Sequence, residues 1–205
     1  MLPGISWRKV MGTIARVSML SVMGACSVVA GLTEALAAPP TGPMATAPAA
    51  PAKAKNWTPP AAKIYAQALS DQIMAQHPEL LSVTFHGTPP GASGIYTMFA
   101  GSYPERIGNP DDPDDIDVIT KGITLIDPRW HRTNDAKKKF VVQMPLRDAS
   151  GENVGLLVLA YHNDGAAPNS GAIEIDFLRR AVALRDGLQA RIPGYAALFE
   201  PAAAH

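Results

Sequence analysis

The chain lacks features that would each indicate a class of function. Its 205 residues include a single cysteine, Cys26, and its 18 basic and 18 acidic residues leave no net charge at neutral pH. One cysteine cannot form a disulfide within the chain or build a multi-cysteine metal site. Without a basic stripe or aromatic residues interleaved with basic ones, the sequence gives no indication of nucleic-acid binding.

The N-terminal segment, residues 1–37, has the pattern of a secretory signal peptide. Basic residues precede an apolar stretch, 17–32, which is shorter than the ~20 residues that a stable membrane span needs. Ala35-Leu36-Ala37 fits the small-residue cleavage pattern. We therefore predict a mature protein that begins at Ala38, has no transmembrane span and is periplasmic or secreted. A lipoprotein anchored through Cys26 is the alternative, because the residues before it resemble a lipobox.

Two further regions follow the predicted signal peptide. Residues 38–60 are rich in proline and alanine and have almost no periodic apolar residues, which predicts a disordered linker. Trp57 is the exception, and we expect it to dock on the edge of the domain. Residues 61–200 have the length and composition of one globular domain.

Apolar periodicity within the domain predicts an α+β order of elements. The predicted helices and strands are a helix over 61–76, strands over 81–86 and 95–100, a short helix ending at Gly122, a strand over 123–126, a hairpin over 139–164 and a helix over 172–192. Acidic residues before the short helix are interpreted as helix capping rather than as a calcium loop, because they lack EF-hand spacing.

The hairpin, Lys139–Asp164, is the strongest local signal. Its first strand alternates in the two-residue period of a half-buried strand, and Asp148-Ala-Ser-Gly151 supplies the residues that a turn requires. The second strand is apolar on both faces as far as Tyr161, which predicts a central position in the sheet. We expect the terminal helices to cover one face, with a pocket near Tyr161 on the other.

Two motifs resemble a known family. The segments Arg106-Ile-Gly-Asn-Pro-Asp-Asp-Pro-Asp-Asp115 and Met144-Pro-Leu-Arg-Asp-Ala-Ser-Gly151, with the apolar strand that follows, resemble the extracytoplasmic PAS-like or Cache-type (PDC) sensor domains of bacteria. The resemblance implies a PAS/Cache-like five-stranded antiparallel sheet flanked by N- and C-terminal helices. It also implies binding of a small molecule such as an amino acid, carboxylate or amine. The chain resembles a stand-alone form, without an output module.

Five residues are the predicted ligand contacts. Arg129 offers a planar fork for a carboxylate, and Trp130 offers a stacking surface in the same polar loop. Tyr96 and Tyr161 combine an apolar ring with a polar tip, which suits a pocket wall. His86 lies in the polar register of its strand. No catalytic constellation is present, so we predict a non-enzymatic, sensor-type binding domain without cofactor or metal.

Alternatives stay open at this point. The domain could be an interaction module with a filled core that engages an envelope protein or a second copy of itself. A metal- or haem-binding protein is a further alternative, because His86 and His162 would converge if their strands were neighbours and shared one sheet end.

Overall fold

The structure is a computed structural model that describes residues 54–128, 138–163 and 171–205. Its helices and strands within these ranges are α1 (Tyr65–Gln76), β1 (Leu80–Gly87), β2 (Thr97–Gly101), α2 (Pro113–Lys121), β3 (Leu125–Asp127), β4 (Lys139–Arg147), β5 (Asn153–His162) and α3 (Gly171–Gln189). Short 3₁₀ turns lie at Pro104–Arg106, Tyr195–Phe199 and Ala202–Ala204. The order agrees with the sequence prediction, and the ends differ by a few residues.

The five strands form one sheet in the order β2-β1-β5-β4-β3, and all neighbours are antiparallel. The predicted fold class is thereby confirmed: the protein is α+β, with a PAS-like sheet and helices before and after it. The predicted hairpin is formed by β4 and β5. Within it, β5 is the central strand of the sheet, because β1 pairs with its other edge.

The turn of the hairpin is closed by one carboxylate. Asp148 Oδ1 accepts hydrogen bonds from the Ser150 amide at 2.9 Å, the Ser150 hydroxyl at 2.6 Å and the Glu152 amide at 3.1 Å. Gly151 has a φ of 89°, a left-handed conformation that glycine adopts without steric cost. The turn residues therefore fix the register of the two strands.

One face of the sheet packs against α1 and α3. The side chains that β4 and β5 contribute to this core are Phe140, Val142, Met144, Leu146, Val154, Leu157, Leu159 and Tyr161. Phe177 of α3 contacts the rings of Phe140 and Tyr161, with centroids 5.0 and 5.2 Å away. Each fully buried large apolar side chain contributes about 1.5–3 kcal/mol to stability, and this face supplies most of the core.

The opposite face is covered in part by α2, and here the sequence expectation was wrong. A pocket near Tyr161 was expected on the face away from the terminal helices, yet Tyr161 belongs to the core beneath them. Antiparallel register explains the difference, since Tyr161 pairs with Phe140 and both side chains point to the helix side. The other face presents polar side chains to α2, among them His86 and Gln143.

Helix α2 has the end signals that the sequence indicates. Asp112 is the N-cap, Pro113 is the first helical residue, and the Asp115 carboxylate accepts the Asp112 amide at 3.1 Å. Gly122 ends the helix in the left-handed conformation, with a φ of 66°. The capping interpretation of the acidic segment is confirmed for these residues.

The segment before α1 packs against the segment that follows α3. Trp57 packs its ring edge-on against Phe199, as its isolated position in the sequence suggests. Ile64 and Pro201 form an isolated antiparallel bridge, which joins the start of α1 to the C-terminal residues. Within the described ranges, no helix is both long and apolar enough to cross a bilayer.

Candidate functional site

A cleft of about 450 Å³ lies between the C-terminal end of α1 and the C-terminal half of α3. We call it the helix cleft. Its lining residues are Ile73, Gln76, His77, Glu79, Tyr161, Arg180, Ala183, Leu184, Gly187, Leu188 and Arg191. Apolar side chains from both helices combine here with a few polar groups, a composition typical of small-molecule sites.

The charged groups of the helix cleft come from both of its sides. His77 Nδ1 lies 3.0 Å from Glu79 Oε1 just after α1. Although burial raises the pKa of Glu79, hydrogen bonds from its own backbone amide and from His77, with the charges of His77 and Arg180, lower it below its usual value. Glu79 is therefore ionised at neutral pH and lies within the electrostatic influence of Arg180.

The two arginines of the cleft are anchored at its rim. Arg180 bonds to Asp176 one turn earlier, with 2.5 Å between Nη2 and Oδ2. Arg191 Nη2 donates to Gln72 Oε1 of α1 at 2.5 Å. Each guanidinium has five N–H donors, so both retain donors for a ligand carboxylate.

Tyr161 connects the cleft to the core. Its side chain is almost fully buried, and burial raises the pKa of the phenol well above its ordinary value. The hydroxyl therefore stays protonated at neutral pH and acts as a hydrogen-bonding group, not as an anion. The ring is held by Phe177, and this positions the residue on a rigid strand.

A second polar cluster lies under α2, at the end of the sheet where β1 finishes. His86 Nδ1 lies 2.7 Å from Asp111 Oδ1 and 4.0 Å from Asp115 Oδ2. On its other side, His86 Nε2 lies 2.8 Å from Thr84 Oγ1. Gln143 of β4 donates to Asp115 Oδ1 at 3.0 Å. Burial raises the pKa of Asp115 above its usual value, against the lowering effects of His86 and of the Asp112 amide.

A recess of about 440 Å³ lies beside this cluster, at the same end of the sheet. Tyr96 lines it, and its carbonyl accepts the amide of Asp111 at 3.1 Å. Tyr195 lines it from the C-terminal segment and donates its hydroxyl to the carbonyl of Thr88. Burial raises the pKa of Tyr195 to about 12.

The structure does not bring the predicted ligand contacts into one site. Tyr161 lines the helix cleft, whereas His86 lies on the opposite face of the sheet and Tyr96 lies at the sheet end. Arg129 and Trp130 fall outside the described residues. The sequence alone could not separate these residues into different sites, because strand alternation does not show which face of each strand packs against the helices.

The alternative in which His86 and His162 converge is not supported by the strand register. Their strands are neighbours, but they run antiparallel: His86 pairs with Leu156, and Leu80 pairs with Tyr161. His162 therefore lies six residues beyond the partner of His86 along β5, about 20 Å away at ~3.3 Å per residue.

Four residues of the helix cleft were not identified from the sequence: His77, Glu79, Arg180 and Arg191. A signal does exist for the arginines. They lie eleven residues apart, close to three helical turns, which would put them on one face of the helix predicted over 172–192. In the structure α3 ends at Gln189, and Arg191 lies just beyond it. From the sequence alone, the charged face of that helix is predicted to be exposed to solvent, because the sequence does not show where α1 packs.

Comparison with known proteins adds no functional assignment. No family model matches the sequence, and no curated protein matches it. Six chains of solved structures match. One is the cyanobacteriochrome receptor PixJ, at 16% identity and a TM-score of 0.37 over 62% of this chain and 95% of that one. Another is the blue-light-absorbing form of the PixJ GAF domain from Thermosynechococcus elongatus, at 15% identity and a TM-score of 0.33 over 59% and 85%. At these TM-scores, the likeness supports no conclusion about ligand or activity.

Proposed function

We propose that this protein is a non-catalytic, sensor-type domain that binds a small carboxylate-bearing molecule in the helix cleft. The observation that carries the proposal is the pairing of charges around one cleft. Arg180 and Arg191 stand on the α3 side, and ionised Glu79 stands beside His77 on the α1 side. An amino acid fits this arrangement best, because it carries one charge of each sign.

The charges of the cleft and those of an amino acid are complementary, and this suggests a role for each side chain. A guanidinium binds a carboxylate through paired N–H donors, so Arg180 and Arg191 would receive the acidic end of the ligand. Glu79 would accept hydrogen bonds from its amine. Tyr161, held as a neutral phenol, would orient the molecule by a hydrogen bond. Ile73 and Leu188 supply the apolar wall against which a side chain would pack.

The size and lining of the cleft support binding. About 450 Å³ lies within the range of small-ligand sites, roughly 300–1,000 Å³. Arg180 and Tyr161 lie on α3 and on the central strand, whereas His77, Glu79 and Arg191 lie in the segments just beyond the ends of α1 and α3. The Cache-type relationship suggested by the sequence motifs is part of the proposal and rests on those motifs, since the strand order supports only the broader PAS-like fold.

A thermal-shift screen of amino acids, carboxylates and amines tests the proposal. A ligand at about 100 times its Kd stabilises the folded state by about 2.7 kcal/mol. For a domain of this size, that corresponds to a rise in Tm of about 5–10 °C. We expect the largest rise with a compound that carries a carboxylate.

The Arg180→Gln variant makes the test specific to the helix cleft. It should abolish most of the shift, because it removes the guanidinium and leaves the helix intact. Arg179→Gln is the matched control, since Arg179 is the exposed neighbour on the same helix and does not line the cleft. No shift with any compound, or an equal shift in the Arg180→Gln variant, would contradict the proposal.

We also propose that the protein acts outside the cytoplasm, on the basis of the N-terminal sequence pattern. Intact mass spectrometry of protein expressed in a Gram-negative host with the leader present tests this. The expected mature chain begins at Ala38. A diacylglycerol-modified Cys26 would instead indicate the lipoprotein alternative, and an unprocessed chain confined to the cytoplasm would contradict export.

A further inference from the structure

The buried cluster under α2 brings together three side chains from three parts of the chain. His86 comes from the end of β1, Asp111 from the loop before α2, and Asp115 from the first turn of α2. One ligand atom from each lies within 4.8 Å of the others. Such a grouping of one imidazole and two carboxylates has the size of a metal coordination sphere.

Asp111 provides an independent observation that points to a ligand. Its side chain is 0% exposed, yet its Oδ2 atom has no hydrogen-bond partner. A buried carboxylate oxygen without a donor is costly, and native structures rarely keep one without an ion or water. Oδ1 of the same group already lies against His86. The carboxylate that contacts His86 therefore keeps one buried oxygen without a donor.

The surroundings of His86 favour coordination through Nδ1. When Nε2 carries the proton, it donates to Thr84 Oγ1 at 2.8 Å and leaves the Nδ1 lone pair directed at the two carboxylates. Metal-binding histidines commonly use their second nitrogen in this way, because the outer bond fixes tautomer and ring orientation. Gln143 similarly fixes Asp115 by donating to Oδ1.

We propose that His86, Asp111 and Asp115 form a binding site for a divalent transition-metal ion of the Zn²⁺ type, with water completing the coordination. An imidazole donor favours Zn²⁺ over Ca²⁺ and Mg²⁺, which prefer oxygen alone. Two carboxylates and a neutral imidazole carry a charge of −2, which the ion balances. Bonds of about 2.0–2.2 Å place neighbouring ligand atoms roughly 3–3.5 Å apart, and the separations of 2.7 and 4.0 Å from His86 lie on either side of that value.

The site would join α2 to the sheet. Asp115 lies on the nine-residue helix α2, and His86 lies on the strand beneath it. The side chains of His86 and Asp115 keep 11% and 12% of their surface exposed, which provides a route for ion and water. Because the cluster and the helix cleft share no residues, failure of either proposal leaves the other unaffected.

Isothermal titration of the full chain, first stripped with a chelator, tests the site with ZnCl₂ and CaCl₂. We expect one Zn²⁺ per chain and no competition from a tenfold excess of Ca²⁺. The Asp111→Asn variant should lose more affinity than the roughly 10–100-fold that removal of an outer-shell partner costs. Asp117→Asn is the matched control and should bind within twofold of the wild type. It removes a charge from an exposed carboxylate of the same helix, which pairs with Lys121 and is not a proposed ligand.

A nuclear magnetic resonance experiment on the wild-type protein covers the case in which Asp111→Asn does not fold. Zn²⁺ should shift the ¹⁵N resonance of His86 Nδ1 while His77 and His205 stay unchanged. The proposal is overturned by the absence of a one-to-one complex, by Asp111→Asn binding as tightly as Asp117→Asn, by calcium binding as tightly as zinc, or by a zinc-induced shift at His77 or His205 in place of His86.

Discussion

At the scale of single residues, Gly155 determines how closely β5 approaches β1 beside His86. Its φ is 139°, and a Cβ atom built there would lie 2.5 Å from the His86 carbonyl oxygen. A side chain at this position would both adopt a disfavoured backbone conformation and displace the strand that carries His86. The two central strands therefore require glycine at this point.

We predict that Gly155→Ala destabilises the domain by about 1–3 kcal/mol, the cost of a strained backbone position. The matched control is Gly187→Ala in α3, where a Cβ meets nothing within 4 Å. It should stabilise by about 0.5–1 kcal/mol, because alanine loses less backbone entropy in a helix. Urea denaturation measures both values. Equal effects of the two substitutions would contradict the role assigned to Gly155.

The polar register of β1 was visible in the sequence, but its environment was not. Ser82, Thr84 and His86 alternate with apolar residues, and that pattern alone favours exposure to solvent. In the structure, all three are buried. The partner of His86 is Asp111, 25 residues away. No local pattern predicts such a contact, because it depends on where the loop before α2 crosses the sheet.

At the scale of elements, the β4–β5 hairpin depends on the Asp148 carboxylate. The hydrogen bond from the Ser150 side chain is the main cause of a pKa below the usual aspartate value, and amide bonds from the turn act in the same direction. A lowered pKa in the folded state means that the ionised group stabilises the fold above the unfolded pKa of about 3.9. That stability is lost as the pH falls through the folded pKa.

We predict that Asp148→Asn lowers Tm at pH 7 and flattens its dependence on pH between about 5 and 2. The variant retains the shape of the side chain but no longer titrates, so the wild-type and variant curves should converge at the acidic end. Glu105→Gln, at an exposed position, should leave the curve unchanged. Parallel curves for wild type and Asp148→Asn would show that the carboxylate does not contribute through its charge.

The elements differ in how well the sequence predicted them. The hairpin and α2 were predictable because their end signals are local: Asp148 and Gly151 at the turn, Asp112 and Gly122 at the helix ends. The face of α3 that borders the cleft was not. Arg180 lies on the charged face of α3 and Arg191 follows the end of the helix, and only the packing of this region next to α1 makes the two residues part of a cleft wall.

At the scale of the whole molecule, one sheet separates two candidate sites. The helix cleft lies on the face covered by α1 and α3, and the His86 cluster lies on the face covered by α2. The core between sheet and terminal helices is filled by large side chains such as Phe85, Phe140 and Leu157. A ligand on that side must therefore bind at the edge of the core, where Tyr161 meets the ends of the helices.

The antiparallel α+β class and the central position of β5 followed from the pattern of elements, because hairpin-linked strands with terminal helices favour an antiparallel sheet. The position of the binding site did not follow. A cleft arises from the angle and spacing of helices that are about 100 residues apart in the chain, and residue patterns along each helix do not encode that spacing.

The most direct test of the central claim is a ¹H–¹⁵N chemical-shift titration with the compound that gives the largest thermal shift. We predict saturable changes at the amides of Glu79, Gly187 and Arg191, which line the helix cleft. The amides of Gly87 and Thr120, in the recess at the sheet end, should stay in place. Changes confined to Gly87 and Thr120, or none at saturating ligand, would contradict the assignment of the helix cleft as the binding site.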